Sequence, residues 1–320
     1  MEPRIVGDPH WYWYIVFYFF LGGIAAGVAF VGALAALFGG NRMKPVVRLA
    51  ALIPLPLALF CTVLLIVDLN RPERFWHMMI QSETWWPMFK YWSPMSYGSW
   101  ILAGFSALAA LSFFAALWGE RRGVVARIPR LLGRRLTAIL DLVPRLLGGG
   151  LTGTLFQILV LIFSYGLASY TGALLGATNQ LFWSDTPFLG ALFFVSAVGT
   201  GISALLLLLL ARRRPAASHD VVEGLEVADN WAMGLELIAL VALFISLGTL
   251  AGRLLFSVYG ITILVGTVLI GLLLPLLLHW RPRLLGSASP IAAALLALAG
   301  GFALRWAIVF AAQGVYVVGR

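Results

Sequence analysis

Eight apolar stretches, each long enough to cross a bilayer, follow one another along this chain and leave little sequence from which a water-soluble domain could be built. A helix needs roughly 20 consecutive apolar residues to span a hydrocarbon core of about 30 Å, because lipid offers no partner to an unpaired backbone group. Stretches near 12–39, 46–69, 96–119, 150–175, 186–211, 230–251, 256–279 and 289–313 meet that requirement. Only 11% of the residues are charged and 61% are apolar, with a mean hydropathy of +0.95, which excludes a hydrated surface. The expected fold class is an all-α integral membrane protein with eight transmembrane helices.

The basic residues set the expected orientation, since Lys and Arg near span ends are retained on the cytoplasmic side. Arg42, Lys44 and Arg48 follow the first span. Arg121, Arg122, Arg127, Arg130, Arg134, Arg135 and Arg145 follow the third, Arg212 to Arg214 the fifth, and Arg281 and Arg283 the seventh. The opposite side receives only Arg4, Arg71, Arg74, Lys90, Arg253 and Arg320, while Arg305 falls inside the last span. Both termini are therefore expected outside. The net charge of +9 is a topology signal, not the footprint of a nucleic-acid partner. The first apolar stretch is too long for the h-region of a cleaved leader, and Glu2 and Asp8 offset Arg4 before it, so the N-terminus is expected to be retained.

The single cysteine, Cys61, lies within the second span, so the chain has no means of ligating an iron-sulfur cluster or attaching a c-type haem. A b-type haem needs two imidazoles facing each other at one depth; His10 and His77 are expected outside, His219 and His279 inside. Three connections stand out. The one from 120 to 149, rich in Arg and Leu and broken by Pro129 and Pro144, suits amphipathic segments on the anionic inner leaflet. That from 212 to 229 adds Asp220, Glu223, Glu226 and Asp229 to its Arg run and reads as a solvated connection. The outer loop from 70 to 95 carries Trp76, Trp85, Trp86 and Trp92, an aromatic belt or a docking surface for another subunit.

Within the spans, FFLGGIAAG at 19–27 resembles FFVSAVGTG at 193–201, as a parallel repeat of two four-span halves would produce. Gly23 and Gly27 form a GxxxG step, which lets helix backbones approach closely.

Ionisable groups in a span are expensive, about 3 kcal/mol on insertion scales, and so carry information. Glu236 lies about two turns into the sixth span, with Asp229 seven residues earlier on the same face. Tyr18 falls roughly 9 Å below the outer boundary and Arg305 roughly 12 Å, while Asp68, Tyr170 and Thr171 sit at it. Glu236 is expected too far from Arg305 in depth for direct pairing. The outer group suits a quinone pocket: an apolar slot, hydroxyl donors for the carbonyl oxygens, and a carboxylate, Asp68, to accept protons. Asp68 could equally bridge to Arg71 or Arg74 or cap the turn at Pro72, and Tyr170 and Thr171 could hydrogen-bond to backbone. Asp229 and Glu236 would extend a proton path inward.

Four segments in order, DLNRPERFWHMM, SPMSYGSW, SYTGALLGATNQLFW followed by PFLGALFFVSAVGTG, and ADNWAMGLELIAL, resemble the NrfD and polysulfide reductase type of membrane subunit. The resemblance covers nearly the whole chain except the Arg-rich loop. It implies a single domain over 1–320 made of two four-helix bundles, 12–119 with 150–175 and 186–313, joined by the cytoplasmic loop 120–149. It further implies a haem-free, quinone-reactive anchor in a bacterial or archaeal cytoplasmic membrane, not catalytic alone. The implied partners are a ferredoxin-like iron-sulfur subunit on the outer face and a molybdopterin catalytic subunit; the implied ligand is menaquinone or ubiquinone, held near Tyr170, Thr171 and the first helix. Where some relatives carry a histidine on that helix, this chain has Tyr18. A proton-coupled secondary transporter is the alternative; it would use Glu236 but leaves the outer motifs without a role.

The charge asymmetry has a direct test. Reporter tags at either terminus are expected to read outside, and the loop from 120 to 149 is expected to resist protease added to intact cells; cleavage there would reverse the orientation.

Overall fold

The computed structural model describes residues 11–69, 71–120, 128–211 and 219–314. The expectations for the termini, for His10, and for Arg121, Arg122, Arg127 and Arg212 to Arg214 fall outside those residues. Among the described residues there are eight helical spans long and apolar enough to cross a membrane, and no strands.

The first span is α1 (Trp13–Phe38). The second is broken at Ile53 into α2 (Lys44–Leu52) and α3 (Pro54–Asp68). Pro54 starts α3 at a first-turn position, where its missing N–H is no loss to the new helix but ends the old one. Then come α4 (Pro94–Glu120), the non-spanning α5 (Ile128–Leu147), α6 (Gly150–Gly176) and α7 (Leu189–Ala211). They are followed by α8 (His219–Leu247), the short α9 (Thr249–Leu255), and α10 (Val258–Ile261). The seventh span continues from α10 through a π-helical stretch, Thr262–Leu273, into α11 (Leu274–Trp280), and α12 (Ser289–Gly314) is the last helix.

One connection differs from the sequence expectation. The segment from His219 to Asp229 is helical, not a solvated connection. Val221, Leu225 and Asp229 are buried at four-residue spacing while Asp220 and Glu223 face outward, so α8 begins as an amphipathic helix that a hydropathy window passes over. The C-terminal part of the Arg-rich loop is α5, tied to α4 by a 2.7 Å hydrogen bond from Trp118 Nε1 to Asp141 Oδ1.

The apolar surface is turned outward, as lipid allows: Leu59, Phe60 and Val63 on α3 and Ile238, Val241 and Ile245 on α8 are all exposed. The interior is built on small residues. α1 packs on α3 and α6, α4 on α6, α7 on α8 and α12, and α12 on the seventh span, with α1 and α7 side by side at the centre. A β-carbon on Gly27 would overlap the Ala197 carbonyl, and one on Gly201 would overlap the Gly27 backbone, so the helices touch main chain to main chain. Phe19 and Phe193 meet edge to face one to two turns away from that crossing, ring centres 5.9 Å apart. These contacts join equivalent positions of the two resembling segments, Phe19 with Phe193 and Gly27 with Gly201. Gly271 and Gly300 make a similar approach between the seventh span and α12, where Thr267 Oγ1 also donates to the Gly300 carbonyl at 3.3 Å.

Substituting Ala at Gly27 or Gly201 forces a backbone shift, and overpacking of this kind typically destabilises by about 1–3 kcal/mol. Gly234, with nothing near its absent side chain, is the control. Thermal unfolding in detergent is expected to show a lowered midpoint for Gly27→Ala and Gly201→Ala and an unchanged or slightly raised one for Gly234→Ala.

Candidate functional site

Polar residues gather in two places, and three of the five expected to share the outer half fall in them. At the first, Tyr18 of α1 and Tyr170 of α6 are both buried and close enough to interact electrostatically. Tyr18 also lies beside Cys61 of α3, whose thiol donates to the Tyr18 carbonyl at 3.8 Å. The Tyr170 ring lies on Gly98 of α4, where a β-carbon would overlap both ring and hydroxyl. The glycine of SPMSYGSW thus makes room for the tyrosine of SYTG. Neither tyrosine hydroxyl has a hydrogen-bond partner among the described residues.

Deeper along the same seam, an apolar groove of about 550 Å³ opens between α4 and α6, lined by Ile101, Gly104, Phe163 and Gly166. Ile101 and Gly166 are one turn from Gly98 and Tyr170, so the groove lies beside the tyrosine pair, although neither tyrosine lines it.

The other outer candidates are placed differently. Asp68, half-buried at the end of α3, forms no ion pair with Arg71 or Arg74 and has no hydrogen-bond partner among the described residues. Thr171 is buried and donates to the Ala168 carbonyl of its own helix at 3.0 Å. The backbone alternative is the one its hydroxyl takes.

Arg305 belongs to the second place. It is 1% exposed, donates from Nε to the Phe19 carbonyl (3.1 Å), from Nη1 to Ser196 Oγ (3.0 Å) and from Nη1 to the Gly301 carbonyl (2.7 Å), and lies over the Phe20 and Phe193 rings. Gly23 gives it space: a β-carbon there would stand 2.8 Å from Nη2. The GxxxG step is therefore split, Gly23 facing the guanidinium and Gly27 facing α7.

Ser196 also approaches the Glu236 carboxyl, without a hydrogen bond between them among the described residues, and Glu236 interacts with Arg305 through its charge. There is no direct ion pair between Glu236 and Arg305 among the described residues. Their depths nevertheless nearly match, because α8 ends at Leu247 and not at 251. Measured from the outer helix ends, Glu236 lies roughly 17 Å and Arg305 roughly 14 Å down.

Glu236 and Asp229 are both buried and flank Gly199 of α7; a β-carbon there would stand 3.8 Å from Glu236 Oε2 and 3.9 Å from Asp229 Oδ1. Ser203 approaches Asp229, yet neither its hydroxyl nor either Asp229 oxygen has a partner in hydrogen-bonding geometry. Ser196, Thr200 and Ser203 occupy one face of α7, so a buried polar line runs Arg305, Ser196, Glu236, Asp229 across α12, α7 and α8. The three hydroxyl residues went unmarked in the sequence, although their spacing of four and three residues is the visible signal.

Eight lipid-facing spans around a tyrosine pair and a buried line of acids and an arginine define a multi-pass membrane protein with polar chemistry held inside its helix bundle. Over residues 3–317 the sequence matches the polysulphide reductase, NrfD family, and the chain belongs to that family. It is 25% identical to Protein NrfD of Escherichia coli (strain K12), an alignment covering 95% of both proteins. It is 27% identical to the C chain of polysulfide reductase from Wolinella succinogenes, over 95% of this protein and 94% of that one.

The shared Ser196 makes a test of coupling. Groups in one buried network show interaction energies of about 0.5–3 kcal/mol, whereas independent sites add to within about 0.5. A double-mutant cycle with Arg305→Gln and Glu236→Gln, read from unfolding midpoints and enthalpies in detergent, is expected to be non-additive; simple additivity would separate the two residues.

Proposed function

We propose that this protein is the quinone-reactive membrane anchor of a respiratory oxidoreductase, passing electrons between the membrane quinone pool and an iron-sulfur subunit on the outer face. The Wolinella succinogenes relative is by its name one lettered component of a reductase, which supports an assembly of several subunits. The observation that supports the site most is the pair Tyr18 and Tyr170, two buried phenols with unengaged hydroxyls about one helix turn from an apolar groove between α4 and α6. A quinone head fits this donor set: it needs a flat apolar slot and donors for two carbonyl oxygens.

A bound quinol supplies two electrons and two protons, and a bound quinone takes them up. The protein's own part is to orient the head through the Tyr18 and Tyr170 hydroxyls, exclude water with the Gly98 and Ile101 wall, and receive or deliver protons at Asp68. Thr171 lines the helix turn without spending its hydroxyl on the ligand, and Arg305 acts from the neighbouring polar line. Electrons leave by a cluster of the partner, which must approach closely because the residues of this protein store none. The surface proposed for that partner is the outer loop, where Trp76 stacks on Trp85 at 5.2 Å and Trp85, Trp86, Tyr91 and Trp92 are exposed. Within the two-bundle arrangement, Glu236 and Asp229 continue a proton path inward, since unpaired buried polar groups at regular spacing are what a relay requires and are otherwise costly. A proton-coupled transporter would use the same two acids but would leave the tyrosine pair without a task.

The test uses the purified complex. Tyr170→Phe removes one hydroxyl and is expected to lower quinol turnover by about 2- to 12-fold, corresponding to a hydrogen bond of about 0.5–1.5 kcal/mol. Asp68→Asn is expected to slow turnover more strongly, while the complex assembles and its iron-sulfur centres accept electrons from an artificial donor. Normal assembly with unchanged quinol kinetics in both variants would refute the site.

A further inference from the structure

A cavity larger than the outer groove, about 950 Å³, lies at the opposite end of the spans, enclosed by α1, α2, α4 and α6. It is at the upper end of the range for small-molecule sites, about 300–1,000 Å³. Its walls are unusually bare, with Ala33 on α1, Ala51 on α2 and Ala115 and Ala116 on α4, so the space is left by small side chains, not by a gap between large ones. The C-terminal part of α5 contributes Pro144 and Leu147 to the lining, and that helix is pinned to α4 through Trp118 and Asp141.

The polar groups of this cavity are graded by depth. At the mouth stand Asn41, Lys44 and Arg48. Arg48 is committed to Glu120 of α4, with Nη2 to Oε2 at 2.6 Å and a second contact from Nε, which bolts α2 to α4 and leaves that pair without net charge. Lys44 is exposed and has no ion-pair partner among the described residues, so it is an uncompensated cation at the mouth. Farther in, Ser112 lies roughly 12 Å from the end of α4 and Gln157 roughly 10 Å from the start of α6. Both line the cavity without a hydrogen-bond partner among the described residues.

A cation at the mouth, neutral hydrogen-bonding groups farther in and an alkane-like wall of alanine form the profile of a phospholipid read from headgroup to tail. We propose that this cavity is a binding site for one anionic phospholipid of the leaflet on the basic side, its phosphate at Lys44 and Asn41, its ester carbonyls at Ser112 and Gln157, and an acyl tail along the alanine wall. A zwitterionic lipid gains less from Lys44. A quinone could meet Ser112 and Gln157 but has no charge for the mouth. The site is separate from the tyrosine pair, and the proposal does not depend on the function of that pair.

The experiment is native mass spectrometry of the full-length protein in detergent, titrated with phosphatidylglycerol and, separately, with phosphatidylcholine of the same acyl composition and with a quinone. One phosphatidylglycerol per protein is expected to bind about fivefold more tightly than phosphatidylcholine, the contribution of a single basic residue near the surface. Lys44→Gln is expected to erase that preference while leaving gel-filtration behaviour unchanged. Ser112→Leu, which fills the cavity, is expected to weaken binding of both lipids. Equal binding of the two lipids by the unaltered protein, a preference that survives Lys44→Gln, or displacement of the lipid by quinone would each overturn the assignment.

Discussion

The main-chain contact of α1 with α7 at Gly27 and Gly201 is the constraint on which the remaining structure depends. Lipid tails are as apolar as leucine, so no hydrophobic force drives these helices together; close packing and hydrogen bonds must hold them. Two residues without side chains allow the smallest separation, and 78% of the apolar window of α1 is buried in consequence, against 22% for α4. The α1 Phe19 carbonyl is brought within reach of Arg305 on α12 by the same approach, and Gly23 leaves the guanidinium its seat. A larger residue at Gly27 would therefore disturb the arginine as well as the helix crossing.

The division of polar residues into two sets follows from that crossing. α1 presents Tyr18 toward α3 and α6, where Cys61 and Tyr170 meet it, and the Phe19 carbonyl toward α7 and α12. One turn of one helix thus serves both the tyrosine pair and the arginine line. The arginine in turn is held through Nε and Nη1 by two carbonyls and a serine, which keeps it in place beside Glu236 without a direct ion pair. Hydrogen bonds to a buried cation offset part of the cost of taking it out of water, and two of the acceptors here are backbone carbonyls fixed in helices.

The correspondence of Phe19 with Phe193 and of Gly27 with Gly201 gives the central seam a local symmetry. The halves then differ in what they carry. α7 sets Ser196, Thr200 and Ser203 on the face where α1 has only Gly22, Ala26 and Ala29 at the corresponding positions. Hydroxyls on one side and bare methyls on the other leave the proposed proton line on α7 and α8 and the open cavity beside α1.

Hydropathy and charge are sums over neighbouring residues, and both were legible without any structure: the eight spans, the basic side, and the family through motifs that run in order. Depth along a helix was legible too, at 1.5 Å per residue, which placed Tyr18 and Tyr170 in the same half of the bundle. Rotation about each helix axis was not, because it depends on which helices are neighbours, and so Arg305 was grouped with the tyrosines whereas its donors point to Ser196 and Phe19. The start and end of α8 were also beyond reach, since its first turns are amphipathic and charged; a shift of four residues at its outer end brings Glu236 to the level of Arg305. Sequence alone determined that this protein lives in a membrane and which residues are costly there. Only the packing of helices through their glycines decided which of those residues meet, because contact between distant segments is a property of neighbours that no window of sequence contains.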